Sequence, residues 1–234
     1  MNIKKFDDTE SLNLYGSELI IDFLKKKPKS LISVATGNST IGLYKELHNY
    51  FKYHNTFFSK VIILKLDEWL TDLRYEHEGF CEQYIQSNII EPLNISSSRF
   101  ISFKTNTKNP IEECERVNEE INKRGPIDLC ILGLGKNGHI GFIEPGAPLY
   151  IRPYVAELSI LSQNHEMISG KTKRYKKGLT LSLNQILSSK KIIIVVSGQG
   201  KEKAKENFLS AKISRNSPAS FLWIHKNIEC LILN

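Results

Sequence analysis

The sequence predicts an α/β fold, a three-layer sandwich with a mostly parallel central sheet, on three observations. Short apolar runs recur along the chain, amphipathic stretches long enough for helices lie between them, and several of the runs are apolar almost without interruption. Strands that alternate with helices are the pattern of parallel strands joined by crossovers, and continuous apolar runs imply burial on both faces of the sheet.

In chain order, the apolar spacing over Thr9 to Lys26 predicts a first helix, and Ser30-Leu-Ile-Ser-Val34 a first strand. Ser39 to Phe51 follows as a helix and Lys60 to Leu66 as a second strand. Gly79 to Ile90 and Pro110 to Lys123 are helical stretches, and Ile127 to Gly133 is the third strand. The segment from Glu144 to Lys177 holds Pro145, Gly146, Pro148, Pro153 and Gly170, with five Lys/Arg near its end. It reads as a long surface excursion, either a lid over a binding site or a solvated loop. Lys191 to Val196 is the fourth strand, Gly200 to Ala211 a helix, and Phe221 to Ile224 and Cys230 to Leu233 are strand candidates near the end. No repeat, low-complexity tract or change of composition divides the chain, so residues 1–234 are expected to form a single domain.

Composition excludes several classes. With 41% hydrophobic and 24% charged residues, the chain has ordinary globular proportions. No apolar stretch approaches the roughly 20 residues of a bilayer-spanning helix, and the start Met-Asn-Ile-Lys-Lys-Phe-Asp-Asp lacks a secretory core, so a cytoplasmic location is expected. Lys and Arg exceed Asp and Glu by 32 − 25 = 7. Of these cations 25 are Lys and seven Arg, scattered instead of banded, which argues against nucleic acid and leaves a phosphorylated substrate or a lysine-rich background. The cysteines, Cys81, Cys114, Cys130 and Cys230, form no C-x-x-C pair and have no finger-like histidines, so neither zinc nor a disulfide framework is expected.

Four strand-to-loop junctions carry the candidate chemistry. The first strand runs into Ala35-Thr36-Gly37-Asn38-Ser39-Thr40, a small hydroxyl-rich turn opening onto a helix. Unpaired N–H groups at a helix start suit an anion such as phosphate, while the alternative is that Ser39 or Thr40 simply caps the helix. The second strand ends in Leu66-Asp67-Glu68-Trp69; a carboxylate there is a general base if burial lifts its pKa toward neutrality, or else a turn cap or a lysine partner. The third strand continues into Gly133-Leu-Gly-Lys-Asn-Gly-His139-Ile-Gly-Phe-Ile-Glu144-Pro145. Four glycines in nine residues frame an imidazole that titrates near neutral pH, with a carboxylate nearby to orient it, unless the glycines are purely architectural. The fourth junction, Ser197-Gly-Gln-Gly-Lys201, sets a cation at a helix start, unfavourable by a few tenths of a kcal/mol unless an anion binds or the lysine is solvated. His48, His54, His77, His165 and His225, with Trp69 and Trp223, read as surface or packing residues.

Taken in order, these four motifs resemble the superfamily of glucosamine-6-phosphate deaminases and 6-phosphogluconolactonases over nearly the whole chain. The resemblance implies a Rossmann-like α/β sandwich. The Gly-His followed five residues later by Glu-Pro is similar to the amino-sugar deaminases. Lys65-Leu-Asp-Glu-Trp69, Asp128 to His139 and Ser217-Pro-Ala-Ser-Phe-Leu-Trp223 resemble the galactosamine-6-phosphate branch more closely still. By that resemblance Thr36, Gly37, Asn38, Ser39 and Thr40, with Lys201, hold the sugar's 6-phosphate. Asp67 takes the C2 proton and returns it at C1. His139, oriented by Glu144, opens the ring. No metal or organic cofactor is implied. The reaction is isomerisation with deamination, galactosamine 6-phosphate giving tagatose 6-phosphate and ammonia, or glucosamine 6-phosphate giving fructose 6-phosphate. The implied partner is a small-molecule amino-sugar phosphate, with neither nucleic acid nor membrane, and the expected state is a monomer or small homo-oligomer.

Two departures stand out. The glucosamine-type deaminases carry an aspartate where this chain has Asn137, and an amide positions an imidazole without stabilising its cation as a carboxylate does. Their later-loop arginine has no counterpart near Gln163-Asn164-His165, which leaves Arg152, Lys171, Lys173 and Arg174 as substitutes. The competing readings are lactone hydrolysis, with His139 activating water, and a non-catalytic sugar-phosphate sensor.

Overall fold

The computed structural model describes residues 1–71, 79–169 and 175–234. Its elements are β1 (Asn2–Phe6), α1 (Thr9–Lys26), β2 (Leu31–Val34), α2 (Ile41–Tyr53), β3 (Ile62–Lys65), β4 (Asp67–Trp69), α3 (Phe80–Ile85) and β5 (Phe100–Ile101). They continue with α4 (Pro110–Arg124), β6 (Leu129–Gly133), β7 (Tyr154–Glu157), α5 (Ile160–Gln163), β8 (Lys177–Thr180), α6 (Leu183–Leu187), β9 (Lys191–Val196), α7 (Glu202–Leu209) and β10 (Ile228–Leu233). Seven strands make one sheet in the order β1-β10-β9-β6-β2-β3-β5, with every pairing parallel. The remaining three make a small antiparallel sheet in the order β4-β8-β7.

The large sheet is buried on both faces, as its apolar runs require. Along β9, Ile192, Ile194 and Val196 enter one core while Ile193 and Val195 enter the other. The same alternation runs through Leu129, Cys130, Ile131 and Leu132 of β6. Residues of α1 and α2 fill one core and residues of α4, α6 and α7 the other, which gives the three layers.

Several elements differ from the sequence expectation. Phe221–Ile224 is not a strand but the end of a 3-10 helix, Pro218–Ile224. Four apolar residues in a row do not distinguish a strand from a tight helical turn, and the neighbouring edges of β10 are already taken by β1 and β9. Trp223 fixes the turn by donating its indole N–H to the Phe208 carbonyl at 2.6 Å. Among the described residues of the excursion from Glu144 to Lys177 are β7, α5 and the first residue of β8, so it supplies one strand of the small sheet and the start of another. The helix expected over Gly79 to Ile90 starts at Phe80 and ends in a widened π turn, Gln86–Ile90. Edge strand β1 has polar residues and four exposed positions, and so lacks the apolar run by which the other strands are recognised.

What the topology does for the site is simple. Strands β9, β6, β2 and β3 lie side by side and parallel, so the four loops that carry the motifs leave the same edge of the sheet. In open α/β sheets that carboxyl edge is where ligands bind.

Candidate active site

Asp67 is the first residue of β4, at the point where the chain leaves the large sheet for the small one. It pairs in register with Thr180 of β8. Its carboxyl group is buried, with the Cys81 thiol 3.7 Å from Oδ1. Burial, reinforced by the neighbouring Glu68 charge, pushes the carboxyl up to about 7, against the smaller opposing effects of the Cys81 thiol and Lys65. The chain approaches it closely from the third junction. A Cβ added at Gly141 would stand 3.5 Å from Asp67 Oδ2 and 3.0 Å from Thr180 Oγ1, on a backbone with φ of +55°. Only a residue without a side chain brings that loop against the acid at no steric cost.

Glu68 points the other way and is structural. Fully buried, it accepts hydrogen bonds from the N–H groups of Trp69 (3.0 Å), Cys81 (3.0 Å) and Glu82 (2.8 Å). Its charge is matched by the buried Lys65, whose Nζ lies 3.0 Å from Glu68 Oε2 and 2.8 Å from Glu82 Oε2 and also bonds the Phe103 carbonyl. The carboxylate therefore seats the start of α3, which carries Cys81, beside Asp67. The thiol also touches Thr36 Oγ1 at 3.5 Å, linking Asp67 to the first junction.

His139 lies with its imidazole against the backbone of Gly135, where any Cβ would stand 2.4 Å from the ring. Burial holds the imidazole below its ordinary pKa, Glu144 opposes that, and His165 and Lys201 add to it. Its Nδ1 is 3.8 Å from Glu144 Oε2 and has no hydrogen-bond partner among the described residues. Glu144 thus acts on the ring through charge. Its carboxylate is held instead by the Asn137 amide at 2.9 Å and the Ser159 N–H at 3.2 Å. Asn137 differs from expectation in the same way: its carbonyl accepts the His139 backbone N–H at 3.1 Å, so the amide shapes the turn and grips Glu144 without touching the imidazole.

The first and fourth junctions meet. Lys201 donates to Ser39 Oγ at 2.7 Å, and Ser39 donates to the Ser197 carbonyl at 3.1 Å. Burial, with Lys136 nearby, lowers the Lys201 ammonium to about 8. Thr40 turns inward, its buried hydroxyl donating to the carbonyls of Ala35 (3.3 Å) and Gly37 (3.4 Å), so of the two hydroxyls only that of Ser39 is set toward the lysine. Gly37 accepts the Tyr84 hydroxyl at 2.9 Å, and Asn38 donates to Glu166 at 3.2 Å. Neither Ser39 nor Thr40 makes a side-chain cap to α2.

Among the four candidate substitutes for an arginine, Arg152 is exposed on the excursion, while Lys171, Lys173 and Arg174 lie outside the described residues, as does His77. His165 packs its ring 5.6 Å from Trp69, within a small cluster that includes Phe142 and Phe80. Sequence reasoning missed Cys81, Thr180 and Lys136. Nothing local marks a lone Cys or Thr as a neighbour of Asp67. Lys136 carried a faint signal, a cation inside a glycine-rich loop at a strand end.

Residues 9–231 match the family described as glucosamine-6-phosphate isomerases/6-phosphogluconolactonase. An Escherichia coli K12 protein named as a deaminase, AgaI, is 37% identical over 230 residues, covering 98% of this chain and 91% of that one. A glucosamine-6-phosphate deaminase of Clostridium botulinum (strain Langeland) is 33% identical over 235 residues, covering 99% and 96%. Among solved structures, a monomeric glucosamine-6-phosphate deaminase of the NagB superfamily superposes with a TM-score of 0.93 at 28% identity, covering 100% of this chain and 98% of the other. The 6-phosphogluconolactonase of Trypanosoma brucei shares the fold, with a TM-score of 0.74 at 18% identity over 99% and 95% of the two chains. Matched over nearly its full length, the chain belongs to the family of glucosamine-6-phosphate isomerases and 6-phosphogluconolactonases, and is an enzyme of the deaminase kind within it.

Proposed function

We propose that this enzyme isomerises and deaminates a hexosamine 6-phosphate, with galactosamine 6-phosphate preferred and tagatose 6-phosphate and ammonia as products. The observation that carries the reading is a buried carboxyl group, raised to about 7, on the same sheet edge as a glycine-seated neutral imidazole and a lysine–serine anion cradle. A base that must remove a carbon-bound proton works best when its pKa lies near the operating pH. The preference for the galacto sugar is supported by Lys65 to Trp69, Asp128 to His139 and Ser217 to Trp223, the stretches that resemble that branch.

In this reading the turn from Thr36 to Thr40 and Lys201 hold the 6-phosphate. His139 accepts the proton of the anomeric hydroxyl and delivers it to the ring oxygen, which opens the ring. Asp67 removes the C2 proton while O1 of the aldehyde takes up a proton, to give an enolamine, and returns its proton at C1 while the amino group gives one up, to give a ketimine. Water adds to C2, ammonia leaves, and the ketose 6-phosphate remains, so one water is consumed for each ammonia released. Glu144 favours the transient imidazolium through charge, with Asn137 and Ser159 keeping its carboxylate in place. The enzyme is expected to act as a single domain spanning residues 1–234, as a monomer or small homo-oligomer.

The test is ammonia release from galactosamine 6-phosphate and glucosamine 6-phosphate side by side, with hydrolysis of 6-phosphogluconolactone as the control. Faster release from the galacto sugar is expected, and faster release from the gluco sugar overturns the C4 preference alone. Asp67→Asn is expected to lower kcat at least a thousandfold, since general base catalysis together with orientation supplies roughly that much. A variant that keeps its ammonia release would sink the enolisation mechanism.

A further inference from the structure

Lys136 and Lys201 leave the ends of neighbouring strands, β6 and β9, and converge on one another. The side chain of Lys136 runs over the loop that carries Lys201: its Cδ, Cε and Nζ lie 3.7 to 3.8 Å from where a Cβ on Gly200 would stand. Lys201, in turn, reaches back across the sheet edge to Ser39. Two ammonium groups drawn together, as the effect of Lys136 on Lys201 shows them to be, repel one another unless an anion lies between them. Among the described residues no carboxylate forms an ion pair with either lysine, and Lys136 has no hydrogen bond; Glu202, the carboxylate that feels the Lys136 charge, has its Oε1 on the Gly200 N–H at 3.1 Å. Glu166 on the far side is bonded by Asn38. The remaining titratable groups facing the pair are His139 and His165, both of which feel the Lys201 charge and both of which are held below their ordinary pKa chiefly by burial.

We propose that Lys136 is a second cationic ligand for the substrate's phosphate dianion, closing on it from the loop after β6 while Lys201 and Ser39 hold it from the loops after β9 and β2. The assignment rests on the sugar-phosphate reading above and adds a residue to it. Lys136 is exposed, which leaves it free to swing onto a phosphate that enters the edge, whereas Lys201 is fixed in advance. A lysine acts on phosphate as a flexible point charge, so placement of the charge matters more than fork geometry.

The experiment compares Lys136→Gln, Lys136→Arg and, as a control for general charge, Lys203→Gln, which removes an exposed cation from α7. Binding of inorganic phosphate is read by titration calorimetry, and KM and kcat are read by ammonia release. Lys136→Gln is expected to weaken phosphate binding and raise KM about tenfold, a loss typical of a hydrogen bond to a charged group, with the larger part of the effect in KM. Lys136→Arg should recover most of the loss, and Lys203→Gln should change either quantity less than twofold. Phosphate binding also weakens as pH rises through the Lys201 pKa, and in Lys136→Gln that limb moves to higher pH, because a repelling neighbour has gone. That shift reports the closeness of the two charges, and the calorimetric loss of phosphate affinity decides ligation. Unchanged phosphate affinity in Lys136→Gln, or no measurable phosphate binding by the unsubstituted enzyme, overturns the assignment. An enzyme that releases ammonia from neither sugar overturns the substrate reading instead, and the calorimetric arm still decides Lys136.

Discussion

Asp67 keeps its proton into the neutral range because it is buried beside a second carboxylate, and two measurable consequences follow. In the proposed role Asp67 must be ionised and Lys201 protonated, so kcat/KM is expected to rise with pH through about 7 and to fall again as Lys201 loses its proton at about 8, limbs that pH–rate profiles will locate. Stability runs the other way. Since the folded-state pKa lies above the unfolded value of 3.8, the folded protein binds the extra proton between about 4 and 7, and the contribution of this group falls as pH rises through that window. Asp67→Asn, which cannot ionise, should therefore melt higher than the unsubstituted enzyme at pH 8, by roughly 2–4 °C for each kcal/mol regained, and no higher at pH 4. A melting difference that is the same at both pH values would contradict this account. At this scale the sequence pointed to Asp67, which follows an apolar run directly, and to His139 and Lys201, each in the glycine-bearing loop after such a run. It was silent on Cys81 and on the approach of Lys136 to Lys201, because those contacts join segments that are distant in the chain.

At the scale of elements, the seating of α3 depends on an ion cluster built around the buried Lys65 and Glu68. Lys65 satisfies two carboxylates and a carbonyl, and Glu68 satisfies three backbone N–H groups. Removing one partner of a buried pair leaves an uncompensated charge, at a cost of about 3–5 kcal/mol. Lys65→Met is accordingly expected to lower the melting temperature by roughly 10 °C, as read by calorimetry, despite the similar size of the two side chains. A loss of under about 2 °C would mean that the cluster relaxes or takes in water. In the large sheet β2, β3, β6, β9 and β10 could be read from their apolar runs, whereas the edge strands β1 and β5 could not, and α1 spans Thr9–Lys26, the stretch expected from its periodicity. Strand β4 could not be separated from β3, since Lys60 to Trp69 reads as one extended run and only tertiary pairing decides that it changes sheets at Leu66. Phe221–Ile224 misled for the opposite reason, a strand-like composition folded into a 3-10 turn.

Across the whole molecule, the core and the candidate site are built from different parts of the same strands. The apolar alternation fills two cores, and the ends of β2, β3, β6 and β9 carry the polar junctions. One sheet shared by both cores should unfold as one unit, so a single calorimetric transition is expected, moving upward with inorganic phosphate or substrate in the sample. Two resolved transitions would show that the small sheet melts by itself. The shared edge was legible in outline, as four motifs each following a predicted strand, but their adjacency comes from a strand order that no local pattern specifies. Leu66 deserves a last consideration in this light. Its N–H donates to Val34 of the large sheet at 3.2 Å, and its carbonyl accepts from Leu181, just beyond β8, at 3.0 Å. The residue works as a pivot pin between two plates, with Asp67 mounted immediately beyond it. Small tilts of one plate against the other would change the aim of Asp67, so that crowding at Gly178, where a Cβ would stand 2.5 Å from the Phe142 ring, is expected to lower ammonia release while the chain is still folded.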